Sequence, residues 1–170
     1  MGVDHFYAKI AGVSHDNQDG SSRQSIIRLC EVGEQLRLDH DEGNEHDRFA
    51  VKLIRSTGEQ VGYLPSDLAR QVVQRSSTGT RYAAFIQDLT GGTPDKPTRG
   101  ANLLLIAASP GTSDEAAQAY VDSALSPDTG SRLIGDRDSK TKDAGKAGCL
   151  LSIVAIVSSL GTIAILASSP

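Results

Sequence analysis

Three short stretches of this 170-residue chain concentrate side chains able to hold a polar ligand. The run Gly43-Asn44-Glu45-His46-Asp47 sets an amide and a carboxylate three residues apart inside an acidic loop, residues 41–47. A carboxylate only accepts hydrogen bonds and an amide both donates and accepts, so Asn44 and Asp47 together suit a terminal hydroxyl. The same residue types also close turns by bonding their own backbone, and the sequence leaves both roles open. The loop from Gly12 to Gln24 adds Ser14 and His15, and the run from Gln60 to Pro65 adds Tyr63. His15 or Tyr63 offers a ring on which a base can stack, and Arg23, Arg48 and Lys52 offer cations to phosphate oxygens. The plainer alternatives are a core Tyr63, a solvated His15 and a surface Arg23.

Other chemistries find little footing. His40, Asp41, Glu42, Glu45, His46 and Asp47 crowd one loop, but their spacing matches no metal motif such as H-E-x-x-H. A solvated acidic loop with no metal is the expectation. Cys30 and Cys149 are too far apart in sequence to form a CxxC zinc or redox pair. The chain has no Walker loop, nucleophile elbow or paired carboxylates in a recognisable context, so it is expected to be a non-enzyme without a cofactor. Net charge is −4, and residues 1–108 hold 12 Lys and Arg against 14 Asp and Glu. Proteins that coat nucleic acid carry a basic excess instead. Any nucleic-acid binding must therefore be a local pocket event.

Six short strands have to hold these loops. Residues 5–13 alternate, with Phe6, Ala8 and Ile10 on one face and Tyr7 and Lys9 on the other. Residues 35–39 alternate likewise, and 49–55 put Phe49, Val51 and Leu53 on one face. Residues 60–64 return as a hairpin partner across Ser56-Thr57-Gly58. Residues 81–89 and 101–108 complete the set, and the last is so continuously apolar that it belongs inside the sheet. Residues 23–30 predict a short helix with Ile26, Ile27 and Cys30 on one side, stopped by Gly33. Pro65 opens a second helix whose buried stripe is Leu68, Ala69, Val72 and Val73. The fold class is α+β: a small, strongly bent antiparallel sheet or partly open barrel with two short helices.

Beyond Ser109 the composition shifts to Ser, Asp, Gly, Ala and Thr, which bury too little surface to offset their ordering entropy. Residues 109–148 read as a flexible linker, with 114–125 as a weak helix whose thin face is Ala116, Ala119, Tyr120 and Ser123. Residues 150–167 are uncharged over 18 positions. A helix of that length just crosses a hydrocarbon core of about 30 Å. Lys140, Lys142 and Lys146 precede it, and residues 1–10 hold no signal-type apolar core. The expected layout is a folded domain at 4–108, a linker at 109–148 and a C-terminal transmembrane helix at 149–167. Such a chain is a single-pass, tail-anchored membrane protein whose N-terminal domain is cytoplasmic. Ser152, Ser158, Ser159, Gly161 and Thr162 dilute the stretch, so a buried helix of the soluble domain is the alternative.

Three motifs occur in order at domain-scale spacing. They are Gly12-Val13-Ser14-His15 leading to Asp19-Gly20-Ser21-Ser22-Arg23-Gln24, then Gly43-Asn44 with Asp47 and Ala50-Val51, then Gln60 to Ala69. Together they resemble the HIRAN domain over residues 6–108. The resemblance implies a modified OB-like barrel that grips the free 3′ end of single-stranded DNA. It places Asn44 and Asp47 at the terminal nucleotide and its 3′-hydroxyl, Ser14 and His15 in the base-contacting first loop, and Tyr63 at the pocket through the Val-Gly-x-Leu motif. Glu45-His46 stands where better-known eukaryotic members have Pro-Tyr, and Ser14-His15-Asp16 where they have Arg-Tyr-Tyr. His46 is thus the ring in place of a stacking tyrosine, an exchange that can forfeit about 1–3 kcal/mol per base. The partner is single-stranded DNA or, if the barrel kept its fold and lost that pocket, a protein or peptide.

Overall fold

The structure, a computed structural model, describes residues 2–126. In chain order the elements are β1 (Val3–Lys9), α1 (Arg23–Ile27), β2 (Gln35–His40), β3 (Val51–Ile54), β4 (Gln60–Tyr63), α2 (Ser66–Ser76), β5 (Arg81–Thr90), β6 (Gly100–Ala108) and α3 (Asp114–Leu125). The strands form one antiparallel sheet in the order β1-β6-β5-β2-β3-β4. Its two edges are joined by the chain itself. The Ile10 N–H still donates to Ala101 of β6, at 3.0 Å, but Ala11 has already turned to β4. The Ala11 N–H donates to the Tyr63 carbonyl at 2.8 Å, and the Tyr63 N–H donates back at 3.0 Å. This pair curls the sheet into a half-barrel and occupies backbone groups that an open edge would expose. A bulge helps: Leu53 pairs with Gly62 and Ile54 with Gln60, leaving Val61 as the extra residue that increases the local twist.

The hollow of the curl holds the main core. Leu36, Leu38, Val51, Leu53, Val61, Ile86, Leu103 and Leu105 meet Ile26 and Ile27 of α1 and Ala69 and Val72 of α2. Strand alternation supplies this face: Leu36 and Leu38 are buried while Gln35 and Arg37 are exposed. The outer face of β5 and β6 is also covered. Ala83, Phe85, Leu104 and Ile106 pack beneath Val121, with Tyr120 and Ala124 alongside. Burial on both faces is why residues 103–108 carry no polar alternation.

Several expectations change. Helix α1 is shorter than the stretch 23–30, with Cys30 buried in the turn beyond it. Phe49 does not join the face of Val51 and Leu53, because the Asp47 carboxylate accepts its N–H at 2.9 Å and keeps it in a turn ahead of β3. Its ring lies instead beside Arg48 and Arg70, at 4.7 and 5.3 Å from ring centroid to guanidinium carbon. Helix α3 occurs at the bounds expected for the weak helix, but it docks on the sheet instead of belonging to a linker. Its inner face is Ala117, Tyr120, Val121 and Ala124, while Ala116, Ala119 and Ser123 are exposed. Val121 packs on the apolar outer face of β5 and β6, and the residues one helical turn either side of it turn inward with it. Tyr120 also meets His5 Nδ1 at 2.5 Å. Among the described residues no helix is long and apolar enough to cross a membrane. The span expected at 149–167 lies outside them.

The seam between Ala11 and β4 has no room to spare. A Cβ on Gly62 would lie 2.5 Å from Ile10 Cγ2 and 2.6 Å from the Ala11 carbonyl oxygen. Gly62→Ala is therefore expected to lower the unfolding free energy by about 1–3 kcal/mol. Gly43→Ala, with open space around its Cβ, should change it by less than about 0.5 kcal/mol. Urea midpoints of the two variants measure the contrast.

Candidate functional site

Closure of the seam brings the loops 12–24 and 41–50 to one edge of the sheet, with Tyr63 between them. Tyr63 is the cross-strand partner of Lys52, so their side chains share a face. Asp41, one residue past β2, gathers this face together. Its Oδ1 takes Lys52 Nζ at 2.9 Å, and its Oδ2 accepts from the Tyr63 hydroxyl and from Asn44 Nδ2, each at 3.1 Å. The Asp41 side chain is only 10% exposed. Burial alone would raise its carboxyl, but the hydrogen bonds from Lys52, Asn44 and Tyr63, with the Lys52 charge, outweigh that and hold it below its ordinary value.

Asn44 closes the turn that follows. Its Oδ1 accepts the N–H groups of His46 and Asp47, both at 3.0 Å, while its Nδ2 serves Asp41. Asp47 spends Oδ1 on the Phe49 N–H, and its Oδ2 makes no hydrogen bond among the described residues. The side chains of Glu45 and His46 are exposed at the tip.

Arg23 sits on the other side of Tyr63. It is buried, at 6% exposure, rather than on the surface. Its Nε donates to Asn17 Oδ1 at 2.6 Å, its Nη1 to the Gly12 carbonyl at 2.9 Å, and its guanidinium carbon lies 5.0 Å from the centre of the Tyr63 ring. Asn17 in turn donates to the Gln60 carbonyl at 3.0 Å, tying the loop to β4. Gln24 ties the loop to the start of β6, exchanging hydrogen bonds with the backbone of Arg99 at 2.8 and 2.9 Å. Gly12 has φ +69°, and a Cβ there would lie 2.9 Å from Arg23 Nη1, 3.8 Å from the Tyr63 ring and 4.0 Å from the His15 ring. Glycine at this point meets both a backbone and a space requirement.

Of the residues singled out in the sequence, the structure groups Asn44 and Tyr63 through Asp41 and sets His15 near Gly12 and Tyr63. Asp47 belongs to the Asn44 turn, and Tyr63 is half-buried rather than core. Ser14 and His46 are exposed and make no side-chain hydrogen bond in this network. Sequence reasoning missed the roles of Asp41, read only as part of a solvated acidic loop, of Gly12, read only as the start of a motif, and of Asn17. Lys52, expected as a cation for phosphate oxygens, is instead paired with Asp41, and Asp41 gains its role because Tyr63 arrives from the far end of the motif series. Among the described residues no three His, Cys, Asp or Glu side chains come together to hold a metal ion. Burial pushes the Cys30 thiol up to about 11, which leaves it a poor nucleophile at neutral pH.

The family model of the HIRAN domain matches residues 3–96. The chain belongs to the HIRAN domain family. Among solved structures it is similar to a crystal structure of a Lactobacillus plantarum protein, at 15% identity and TM-score 0.48, over 62% of this chain and 97% of that one. It is also similar to the HIRAN domain of human HLTF. The crystal structure of that domain is 15% identical with TM-score 0.46, over 71% of this chain and 84% of that one. The NMR structure is 17% identical with TM-score 0.43, over 70% and 84%. No curated protein matches the chain.

In this HIRAN domain the stretch matched by the family model holds both loops and β4, while β6 and α3 lie beyond it. The state of Asp41 should be readable in its pH stability. Asp41 ionises more readily folded than unfolded, so it stabilises above the ordinary carboxylate value, and that contribution is lost as pH falls through its lowered folded value. Asp41→Asn is expected to lose stability at neutral pH and to decline less steeply than the parent below about pH 4. Urea unfolding at a series of pH values tests this, and parallel acid limbs would contradict it.

Proposed function

We propose that this HIRAN domain binds single-stranded DNA along the edge built by Tyr63 and the two loops, taking a free 3′ end at the Asn44–Asp47 turn. The observation that carries the reading is the fixing of Tyr63, with its hydroxyl on Asp41 and its ring against Arg23, where both motif loops meet. A partly exposed ring already immobilised loses little entropy when a base stacks on it. Asp47 Oδ2, unspent in the turn, is the acceptor for a 3′-hydroxyl, and Asn44 holds Asp47 in place. Ser14, His15 and His46 are the exposed groups left to meet bases. The acidic balance of residues 1–108 supports a pocket for one strand end over a groove that coats a long strand. The uncharged run 150–167 supports a membrane tether with the domain on the cytoplasmic side.

Fluorescence anisotropy with oligonucleotides ending in a 3′-hydroxyl or a 3′-phosphate tests the end preference. The free hydroxyl is expected to bind about tenfold more tightly, the size of one hydrogen bond to a charged group. Asp47→Asn keeps an acceptor for the Phe49 N–H and should bring the ratio close to one. Equal affinity for both ends in the parent protein would overturn the 3′-end reading. Absence of all oligonucleotide binding would favour a protein partner instead. For the tether, the full chain should stay with membranes through an alkaline wash while a chain ending at residue 126 should not. Release of the full chain by that wash would overturn the tether.

A further inference from the structure

Arg23 carries a charge that the described fold does not neutralise. Arg55 shows the usual solution: its guanidinium is met by Glu34 at 2.7 Å and Glu59 at 2.9 Å. Arg23 is buried, yet no carboxylate of the described residues lies within ion-pair distance of it. Its partners, Asn17 Oδ1 and the Gly12 carbonyl, are neutral acceptors that orient the group without cancelling its charge. A neutral donor would orient the same acceptors without the cost of burying an unpaired ion. The side chain also keeps one end open. Among the described residues Nη2 makes no hydrogen bond and Ser76 Oγ is the one fully buried side-chain polar atom without a partner, so Nη2 is not fully enclosed. On the Nη1 side, Gly12 has no Cβ where one would lie 2.9 Å from Arg23 Nη1, 3.8 Å from the Tyr63 ring and 4.0 Å from the His15 ring.

We propose that Arg23 and the open side of Gly12 form a seat for one internal phosphodiester of a bound strand, beside a base held by Tyr63 or His15. The proposal rests on the single-stranded DNA reading above and deepens it, since the seat belongs to the 12–24 loop and the 3′-hydroxyl acceptor to the 41–50 turn. A guanidinium locked at two of its nitrogens presents the third as a directed, charge-assisted donor to an oxyanion. A nucleotide sets a planar base next to each phosphate, which suits a cation against the Tyr63 ring with the His15 ring near Gly12. An acidic peptide brings nothing planar to stack on those rings.

The test uses the full chain, with Arg23→Gln and Arg23→Lys, and a short single-stranded DNA in which one linkage at a time is a neutral methylphosphonate. In the parent protein one linkage is expected to weaken binding about tenfold when neutralised, and Arg23→Gln should be insensitive at that same linkage. The slope of log affinity against log salt should fall by about 0.7 in Arg23→Gln. Should Arg23→Gln fail to fold, Arg23→Lys, which keeps the charge, must retain the dependence on that linkage with reduced amplitude. If the parent binds the strand but no linkage is coupled to residue 23, the phosphate seat is overturned and the DNA reading stands. If the parent binds no strand, both fall. Competition of the strand by an Asp-rich peptide of equal affinity would overturn the seat in favour of a peptide site.

Discussion

The hydrogen-bond pair between Ala11 and Tyr63 is small, yet most of this molecule's organisation passes through it. A six-stranded antiparallel sheet has two edges, and here the continuation of one edge strand closes on the other. The closure is possible because Gly62 has no side chain where Ile10 and the Ala11 carbonyl pass. It shapes the hollow that the main core fills, and it brings two loops about 30 residues apart in sequence to flank one tyrosine. Twist, bulge and glycine each contribute to the same bend, which is the consistency expected of a sequence that specifies one fold.

The polar groups along this edge divide into two kinds. Asp41 is satisfied on both oxygens, and the Lys52 ammonium answers its charge. Arg55 is answered by two glutamates. These are closed accounts of charge, and they hold elements together. Arg23 and Asp47 differ, because each is anchored by part of its side chain and keeps another part unspent. Anchored but incompletely satisfied groups are what a preorganised binding surface needs, since their orientation is settled before a ligand arrives. That both lie on the motif loops, either side of Tyr63, is the physical basis of the functional reading.

Much of the fold was legible in local patterns. All six strands and the two expected short helices occur, because alternation at Leu36 and Leu38 or a stripe at Ala69 and Val72 is a property of neighbours in sequence. The misreadings arose where a residue's fate depends on something distant. Phe49 fits a strand pattern, but the Asp47 carboxylate holds it in a turn and Arg70 of α2 lies against its ring. The face of α3 is chosen by the apolar outer side of β5 and β6, which the helix's own weak periodicity does not reveal.

The candidate site divides in the same way. Residue chemistry and order alone determined the family resemblance, the α+β class and the chemical suitability of Asn44, Asp47, His15 and Tyr63 for a nucleotide. Only the tertiary structure decided that Asn44 is a turn-closing residue, that Asp41 is the centre of the polar network, and that Arg23 is buried against Tyr63 without a counter-charge. The reason is physical. A side chain's hydrogen-bonding capacity is written in its type, but how much of it is already consumed depends on groups brought close by closure of the sheet.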